Sequence, residues 1–363
     1  MKVSSNWMSD MPESVYIHIP FCKSKCKYCS FVSFGQYNIE YFSHLEKEID
    51  TYYKGESLKT LYFGGGTPSI MEIETAQRLI NKFNLQSGCE ITFETNPDDA
   101  KLDYLQGLRE IGINRLSMGA QTFDDNILKQ IGRRHCAADT LKAVENAKQA
   151  GFENISLDLI YGLGSGLNRI KTDVGTLISL DIPHISTYGL KIEEGSYFYT
   201  HPPKNLPDDD TQADMYLLIN EILEKAGYKR YEVSNFAIPG FESRHNLNYW
   251  DNNEYYGFGT SAHGYVDGIR YSNSKEIKYT PHEIEHVVTE AEKLEEEIFL
   301  GFRKTAGINI NNINQKFDID FEEKYQKVLD KYVPNYITKT PCGYKLTTQG
   351  VLLSNLILSE FLV

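Results

Sequence analysis

The stretch that decides the fold is YIHIPFCKSKCKYCSF, residues 16–31, in which an apolar, β-branched run leads into a loop with three cysteines. Cys22, Cys26 and Cys29 follow the spacing CxxxCxxC. Three thiolates in one short loop would bind three irons of a [4Fe–4S] cluster and leave the fourth iron without a protein ligand. The alternative is a zinc loop completed by a distant histidine, because structural zinc takes four ligands and the chain has no second CxxC pair.

The rest of the composition is consistent with a reducing compartment. Of the six cysteines in 363 residues, Cys89, Cys136 and Cys342 stand alone, which is unlike the framework of a disulfide-rich secreted protein. We interpret these three as bystanders. The chain has 37 Lys and Arg against 50 Asp and Glu, a net charge of −13, so we expect no broad binding of nucleic acid. The sequence shows no signal peptide and no long apolar span, and we expect a cytoplasmic protein that is not integral to a membrane.

Six strand-like runs are each followed by a helical pattern, which predicts an α/β fold with a parallel sheet. Six units are too few for a closed eight-stranded barrel, so a partial barrel and a doubly wound sheet both fit. The pattern changes after residue 190, and residues 282–303 are predicted to form one long acidic helix. We predict a core over 1–190 with the cluster loop at 22–29, a barrel-completing segment over 191–300 and a small C-terminal domain over 301–363. The six runs are 15–19, 58–63, 90–95, 113–121, 152–161 and 184–190.

Polar or glycine-rich segments follow several of these runs. GGGTP, residues 64–68, is a tight turn on its own, but next to a cysteine loop it is typical of a backbone that approaches a ligand closely. Side chains at successive strand ends converge on one cavity in barrels, although each could equally be a capping or core residue. The glycine-rich turn at 162–166 lacks the GxGxxG spacing, which argues against a nicotinamide site. The side chains at strand ends are Glu94, Gln121, Asp158 and Tyr188.

Taken in order, the motifs YIHIPFCKSKCKYCSF, YFGGGTP, FETNP, RLSMGAQTF, RRH and LDLIYGL resemble those of the HemN-like (oxygen-independent coproporphyrinogen III oxidase-like) radical S-adenosylmethionine (SAM) family. The resemblance runs from about residue 16 to the C-terminus. It implies a partial (β/α)6 TIM-like barrel followed by a small α+β C-terminal domain, with a [4Fe–4S] cluster on the three cysteines of the loop. Gly164 departs from the proline usual in that family. The resemblance implies SAM contacts at Tyr16, Tyr28, Gly65, Gly66, Thr67, Glu94, Gln121, Arg133, Asp158 and Gly189.

Three features favour the haem-chaperone branch of this family over its dehydrogenases. Phe31 occupies the position of a fourth cysteine, only 21 residues precede Cys22, and HNLNYW at 245–250 matches the HNxxYW motif of the chaperones. The resemblance implies that His245 binds haem, with Tyr249 and Trp250 packing on the macrocycle. From the residues alone, His245 would be interpreted as a core histidine beside a buried tryptophan.

The resulting hypothesis is a haem chaperone that carries a [4Fe–4S] cluster, binds SAM and delivers haem to respiratory haem enzymes. The alternative is a radical SAM oxidative decarboxylase of coproporphyrinogen III. We expect that dehydrogenase activity to be absent and leave open whether the chain is an enzyme. A homodimer is compatible with this hypothesis. A zinc-loop structural protein is the most distant alternative.

Overall fold

The computed structural model describes residues 11–164 and 166–362. Residues 1–10 and Ser165 lie outside the described residues. The N-terminal segment, for which no signal peptide is predicted, is therefore mostly outside them, and so is one residue of the glycine-rich turn. Within the described ranges, no helix combines the length and the apolar character that crossing a membrane requires.

The strands fall into one large sheet and two small ones. In chain order they are β1 (Ser14–Ile19), β2 (Ser57–Gly65), β3 (Asn84–Thr95), β4 (Arg115–Gln121), β5 (Asn154–Tyr161), β6 (His184–Gly189), β7 (Lys229–Arg230), β8 (Asn235–Ala237), β9 (Tyr256–Phe258), β10 (His263–Val266), β11 (Ile269–Ser272), β12 (Ile284–Val287), β13 (Ile308–Asn309), β14 (Ile337–Thr340) and β15 (Gly343–Leu346).

The helices alternate with the first six strands and then cluster towards the C-terminus. They are α1 (Ile39–Tyr52), α2 (Ile73–Ile80), α3 (Leu102–Glu110), α4 (Asp125–Gln130), α5 (Ala137–Gln149), α6 (Leu167–Ser179), α7 (Tyr197–Thr200), α8 (Asp209–Lys225), α9 (Arg244–Trp250), α10 (Glu290–Gly301), α11 (Ile310–Phe317), α12 (Phe321–Lys324), α13 (Gln326–Tyr332), α14 (Thr348–Leu352) and α15 (Ser354–Ser359). Two 3₁₀ turns, Pro68–Ile70 and Pro97–Asp99, follow β2 and β3.

The order of the large sheet decides between the two architectures. Strands β1 to β6 lie side by side in chain order, and each is parallel to the next. A doubly wound sheet would reverse direction at a switch point, whereas a barrel keeps winding the same way. The sheet continues as β8 and β7, antiparallel, beside β6, and as β9 beside β1. The predicted partial (β/α)6 barrel is confirmed.

Short polar caps end the loops that follow the strands. The carboxylate of Asp124, just after β4, accepts hydrogen bonds from the backbone N–H groups of Asn126 and Ile127 and so begins α4. An acidic N-cap satisfies N–H groups that the first turn of a helix leaves without partners. Because such loops are short, functional side chains at the strand ends stay close to one another.

The barrel and the C-terminal region have separate apolar cores. The first is built from the inner sides of α1, α2, α3, α5, α6 and α8 and the strands they cover, with Leu61, Phe63 and Phe93 fully buried. The second gathers residues between Leu294 and Phe361 around the sheet β13-β15-β14, and it meets the barrel at Tyr216 of α8. The predicted small α+β C-terminal domain is therefore present.

The predicted helix over 282–303 is wrong in its first part. Ile284–Val287 forms β12, the edge of the three-stranded sheet β10-β11-β12. The helix α10 begins only after Thr289, whose hydroxyl accepts from the N–H of Glu292 while the Glu292 carboxylate accepts from the N–H of Thr289. This capping box sets the start of α10, which the run of acidic residues in the sequence does not indicate.

Candidate cofactor site

The cysteine loop lies where the first strands of the barrel end. It closes on itself through the backbone N–H of Cys22, which donates to the carbonyl of Phe34 at 3.0 Å. The N–H of Lys27 donates to the carbonyl of Ile131 after α4, and the N–H of Phe198 in α7 donates to the carbonyl of Lys27. The loop is thereby closed on itself and fixed to two other parts of the barrel, at the edge where active sites of such barrels lie.

The three thiols of the loop are half-buried, and two of them accept hydrogen bonds from neighbouring side chains. The hydroxyl of Thr67 donates to the sulfur of Cys22 at 3.4 Å, and the guanidinium of Arg133 donates to the sulfur of Cys26 at 3.5 Å. Burial raises the pKa of the Cys29 thiol, and the nearby thiols of Cys26 and Cys22 raise it further. A hydroxyl and a cation that already point at sulfur would stabilise thiolates there.

The alternative to a cluster is a single metal ion bound by the loop. Among residues 11–164 and 166–362, no three His, Cys, Asp or Glu side chains are close enough together to bind one ion. The zinc loop completed by a distant histidine therefore has no ligand set in the described residues. A cluster requires a different arrangement, because each thiolate binds its own iron and the sulfurs are spread around the cluster.

The glycine turn after β2 has no room for side chains. A Cβ on Gly65 would lie 2.6 Å from the ring of His18, and a Cβ on Gly66 would lie 2.8 Å from the carbonyl oxygens of Ile19 and Phe21. Gly65 also has φ of +110°, a conformation that favours glycine. The turn is therefore pressed onto β1, and its exposed side is bare backbone at the mouth of the barrel.

Glu94 lies at the end of β3 and is held by two donors. The phenol of Tyr62 donates to Oε1 at 2.8 Å and the N–H of Gly65 donates to Oε2 at 3.1 Å. Burial raises the pKa of Glu94 to about 7, against the lowering effect of the Tyr62 bond, and the charge of Asp158 raises it further. The carboxylate is thus fixed in position by two donors, and within residues 11–164 and 166–362 it forms no ion pair.

Asp158 lies in β5, on the other side of the barrel mouth. Burial raises its pKa to about 6, while hydrogen bonds from Ser186 and Ser117 and the charge of Arg115 lower it. The Ser117 hydroxyl is 3.5 Å from its Oδ1. Two buried carboxyl groups with raised pKa values that act on each other are typical of a functional site rather than of a solvated surface.

Arg133 connects the cysteine loop to the strand ends. Its Nη2 donates to Oδ1 of Asn96 at 2.6 Å and to the carbonyl of Gly119 at 2.7 Å. Asn96 in turn donates to the hydroxyl of Thr67 at 3.2 Å. Asn96 was missed by the sequence analysis, although it follows β3 directly within the FETNP motif. Gln121, which ends β4, is buried nearby with φ of +67°.

Two of the predicted SAM contacts, Tyr28 and Gly189, lie at the margin of this group. Tyr28 packs in a small apolar cluster beneath the loop, together with Ile131 and Phe198. Gly189 ends β6, is exposed, and would place a Cβ 3.0 Å from the phenol oxygen of Tyr161. The structure thus brings most of the predicted SAM contacts to one end of the barrel, with Tyr28 and Gly189 at its margins. The contacts at that end are Tyr16, Gly65, Gly66, Thr67, Glu94, Gln121, Arg133 and Asp158.

His245 is buried, whereas the haem hypothesis predicts a histidine that haem can reach. It is 1% exposed, its Nδ1 is 2.8 Å from the hydroxyl of Thr60, and its Nε2 is 2.8 Å from the phenol of Tyr249. Burial lowers its pKa to about 3, and the charge of Arg115 contributes. Both ring nitrogens have partners in this conformation, so neither is free to bind iron.

The two aromatic residues of the same motif line an open groove instead. This groove, of about 590 Å³, lies between α9, β12 and α10. Its volume is in the range of small-molecule sites. The indole N–H of Trp250 and the amide N–H₂ of Asn252 are buried donors without an acceptor in the described residues. The wall includes Tyr249, Trp250, Tyr255, Arg270, His286 and Phe299.

Comparison with known proteins identifies the family. Residues 16–169 match the radical SAM superfamily and residues 288–353 match the HemN C-terminal domain. The haem chaperone HemW of Lactococcus lactis is 38% identical, with 98% of this chain and 99% of that protein aligned, and HemW of Bacillus subtilis is 40% identical, with 96% and 99% aligned. The chain belongs to the HemW family. The resemblance seen in the sequence is confirmed.

The HemW family shares its fold with a solved enzyme. Coproporphyrinogen III oxidase (HemN) from Escherichia coli superposes with a TM-score of 0.84, over 97% of this chain and 90% of the enzyme, at 22% identity. At that identity the likeness concerns the fold alone. Membership of the radical SAM superfamily implies a [4Fe–4S] cluster and SAM.

A pH-dependent stability follows from the burial of Glu94. Between pH 4.5, its ordinary pKa, and about 7, the native protein keeps a proton that the unfolded chain has lost. The free energy of unfolding therefore falls as pH rises through this window, by about 3 kcal/mol. We expect Glu94→Gln to flatten this fall in urea titrations of the apoprotein. Glu74→Gln, an exposed carboxyl on α2, is the control and should leave the slope unchanged; equal slopes for all three proteins would contradict the assignment.

Proposed function

We propose that this chain is a haem chaperone that carries a [4Fe–4S] cluster, binds SAM and delivers haem to respiratory haem proteins. The observation that carries the proposal is the groove whose wall contains Tyr249 and Trp250 of the HNxxYW motif. The names of the aligned relatives, which describe them as haem chaperones, support the same function.

In this proposal the cluster is held by Cys22, Cys26 and Cys29. The hydroxyl of Thr67 and the guanidinium of Arg133, which already donate to two of the sulfurs, would stabilise the thiolates. A cluster with one iron free of protein ligands offers a position to which the amino and carboxylate groups of SAM can bind.

SAM would lie against the glycine turn and the strand ends. Glu94 offers a carboxylate fixed by two hydrogen bonds, which suits the ammonium group of an amino acid. The backbone of Gly65 and Gly66 has no side chain on its exposed side, and Asp158 and Gln121 complete the wall. These residues bind and orient SAM in our proposal.

Haem would bind in the groove beside α9. Tyr249, Trp250 and Phe299 provide flat apolar surface for a macrocycle. The unpartnered N–H groups of Trp250 and Asn252 could donate to a propionate, since buried donors gain most from an acceptor. Arg270 is occupied, because it forms two bonds of 2.6 and 2.7 Å with Glu296.

Two histidines are candidates for the axial ligand of haem, and their contacts differ. His245 binds iron only if Tyr249 moves away from its Nε2. His286, at the groove wall, has a side chain that is 57% exposed and bonds to Glu292 through Nε2 at 2.9 Å. A carboxylate partner of this kind is common for histidines that bind metals through the other nitrogen. We therefore include both histidines in the haem titrations.

Trp250→Ala is expected to weaken haem binding by roughly tenfold or more, because it removes the largest flat side chain of the groove. The measurement is a spectrophotometric haem titration of the purified protein. Tyr336→Ala, which removes an aromatic side chain from a different cavity near α8, is the matched control and should bind haem like the wild type. If Trp250→Ala and the wild type bind with equal affinity, haem does not use this groove.

We further propose that the protein works in the cytoplasm, where reducing conditions preserve an exposed cluster, and that it reaches its haem-accepting partners by protein contact. The division into 1–190, 191–300 and 301–363 is retained as a proposal, in which the middle segment lines the groove and the C-terminal domain adds Leu362. A homodimer is also retained as a proposal, which sedimentation of the reconstituted protein tests.

The experiment that separates this function from its rival is a porphyrin assay. Anaerobically reconstituted, reduced protein is incubated with SAM and coproporphyrinogen III, and the porphyrins are analysed by chromatography. We expect no protoporphyrinogen IX. Conversion at rates that depend on the cluster cysteines would replace the chaperone by the oxidative decarboxylase.

A further inference from the structure

We propose that His245 is a positioning residue for the SAM end of the barrel: it supports the ring of Tyr62, and Tyr62 orients the carboxylate of Glu94. This inference rests on the proposed binding of SAM at Glu94. It assigns to the histidine of the HNxxYW motif a role that needs no contact with haem.

The helix that carries His245 is anchored inside the barrel. The backbone N–H groups of Arg244 and His245 donate to the two oxygens of Glu90 in β3, at 3.2 and 3.1 Å. The hydroxyl of Ser243 accepts from the N–H of Asn246 and caps the helix. With both ring nitrogens also bonded, the imidazole has one fixed orientation.

From this fixed imidazole, three rings pack one against the next, from α9 to Tyr62 in β2 and on to Tyr16, its register partner in β1. The His245 and Tyr62 rings are stacked, with centroids 4.9 Å apart and planes at 27°. The Tyr62 and Tyr16 rings are stacked in turn, at 6.0 Å and 28°. Thr60 and Tyr62 share a face of β2 because alternate residues of a strand point to the same side, so His245 contacts this strand twice.

The upper end of this stack meets the proposed SAM contacts. Tyr62 donates to Oε1 of Glu94 at 2.8 Å, while Gly65 donates to Oε2. Tyr16, itself a proposed SAM contact, has its phenol oxygen 3.0 Å from Nδ1 of His18. A carboxylate that is already oriented loses less freedom when it binds its ligand, and this improves affinity. If the imidazole were removed, the Tyr62 ring could tilt into the space, and its hydroxyl would leave Glu94.

The test measures the dissociation constant of SAM by anaerobic equilibrium dialysis on the reconstituted protein. We expect His245→Ala to weaken binding by roughly two- to thirtyfold, the range typical of residues that act through a neighbour. His245→Phe, which keeps a ring against Tyr62, should recover much of the loss. Phe321→Leu, which alters the separate C-terminal core, controls for general destabilisation and should leave SAM affinity unchanged.

The decisive comparison is a double-mutant cycle with Tyr62→Phe, which removes only the hydroxyl that reaches Glu94. If His245 acts through that hydroxyl, His245→Ala should cost little more in the Tyr62→Phe protein than Tyr62→Phe costs alone. Full additivity, or unchanged affinity of His245→Ala, would overturn the inference while leaving SAM binding intact. Absence of SAM binding by the wild type would instead overturn the proposed SAM site itself, and the inference with it.

Discussion

Replacing Cys26 by serine is expected to reduce the iron content of anaerobically reconstituted protein from about four atoms per chain to nearly none. The hydroxyl of serine is a far weaker iron ligand than a thiolate, and the other two thiols cannot retain a four-iron cluster alone. The air-sensitive absorbance of the cluster should be lost with the iron. Because Cys26 is half-buried and serine is nearly isosteric, the apoprotein should keep its fold.

Cys342→Ser is the matched control for this prediction. Cys342 is exposed in the turn between β14 and β15, far along the chain from the loop, and its replacement should leave iron and absorbance unchanged. The cluster assignment would be contradicted if Cys26→Ser retained about four irons, or if the wild type took up zinc in place of iron.

The second large effect is expected from Gly65→Ala. The new methyl would lie 2.6 Å from the His18 ring, which is 5% exposed and has its Nε2 3.3 Å from the carbonyl of Val32. Because His18 has little room to move, overpacking should cost about 1–3 kcal/mol. The positive φ adds about 1–2 kcal/mol. Displacement of the turn should also weaken SAM binding, since Gly65 holds Glu94.

Gly55→Ala separates these two costs. Gly55 has φ of +94°, but a Cβ there would have no neighbour within 4 Å, so only the backbone cost applies. In urea denaturation of the apoproteins, Gly65→Ala should lose more stability than Gly55→Ala by the overpacking cost. Equal losses would mean that the turn after β2 can move away from His18, and that it is not pressed onto β1 as described.

The features that could be predicted from sequence are those with a local pattern. Each of the six βα units has its own run of apolar residues and its own helical period, and the residues at the strand ends follow directly from where each strand stops. The cysteine loop and the glycine turn are contiguous motifs. Their meeting at one edge follows from the parallel sheet, because the C-terminal ends of all six strands lie together.

What could not be predicted depends on contacts between distant parts of the chain. The burial of His245 agrees with its interpretation as a core histidine, but its partners Thr60 and Tyr62 lie about 185 residues earlier, and no local pattern signals those contacts. Asn96 connects Thr67 to Arg133 only once three loops have met. The start of α10 was misjudged because the strand Ile284–Val287 is exposed on both faces and looks like the polar start of a helix.

The central claim is that this chain binds haem specifically, and its most direct test is a haem titration of the reconstituted wild-type protein. We predict saturable binding of one haem per chain, with a shift of the Soret band away from that of free haem. Absorbance that rises without saturation, or a spectrum identical to that of free haem, would contradict the chaperone function.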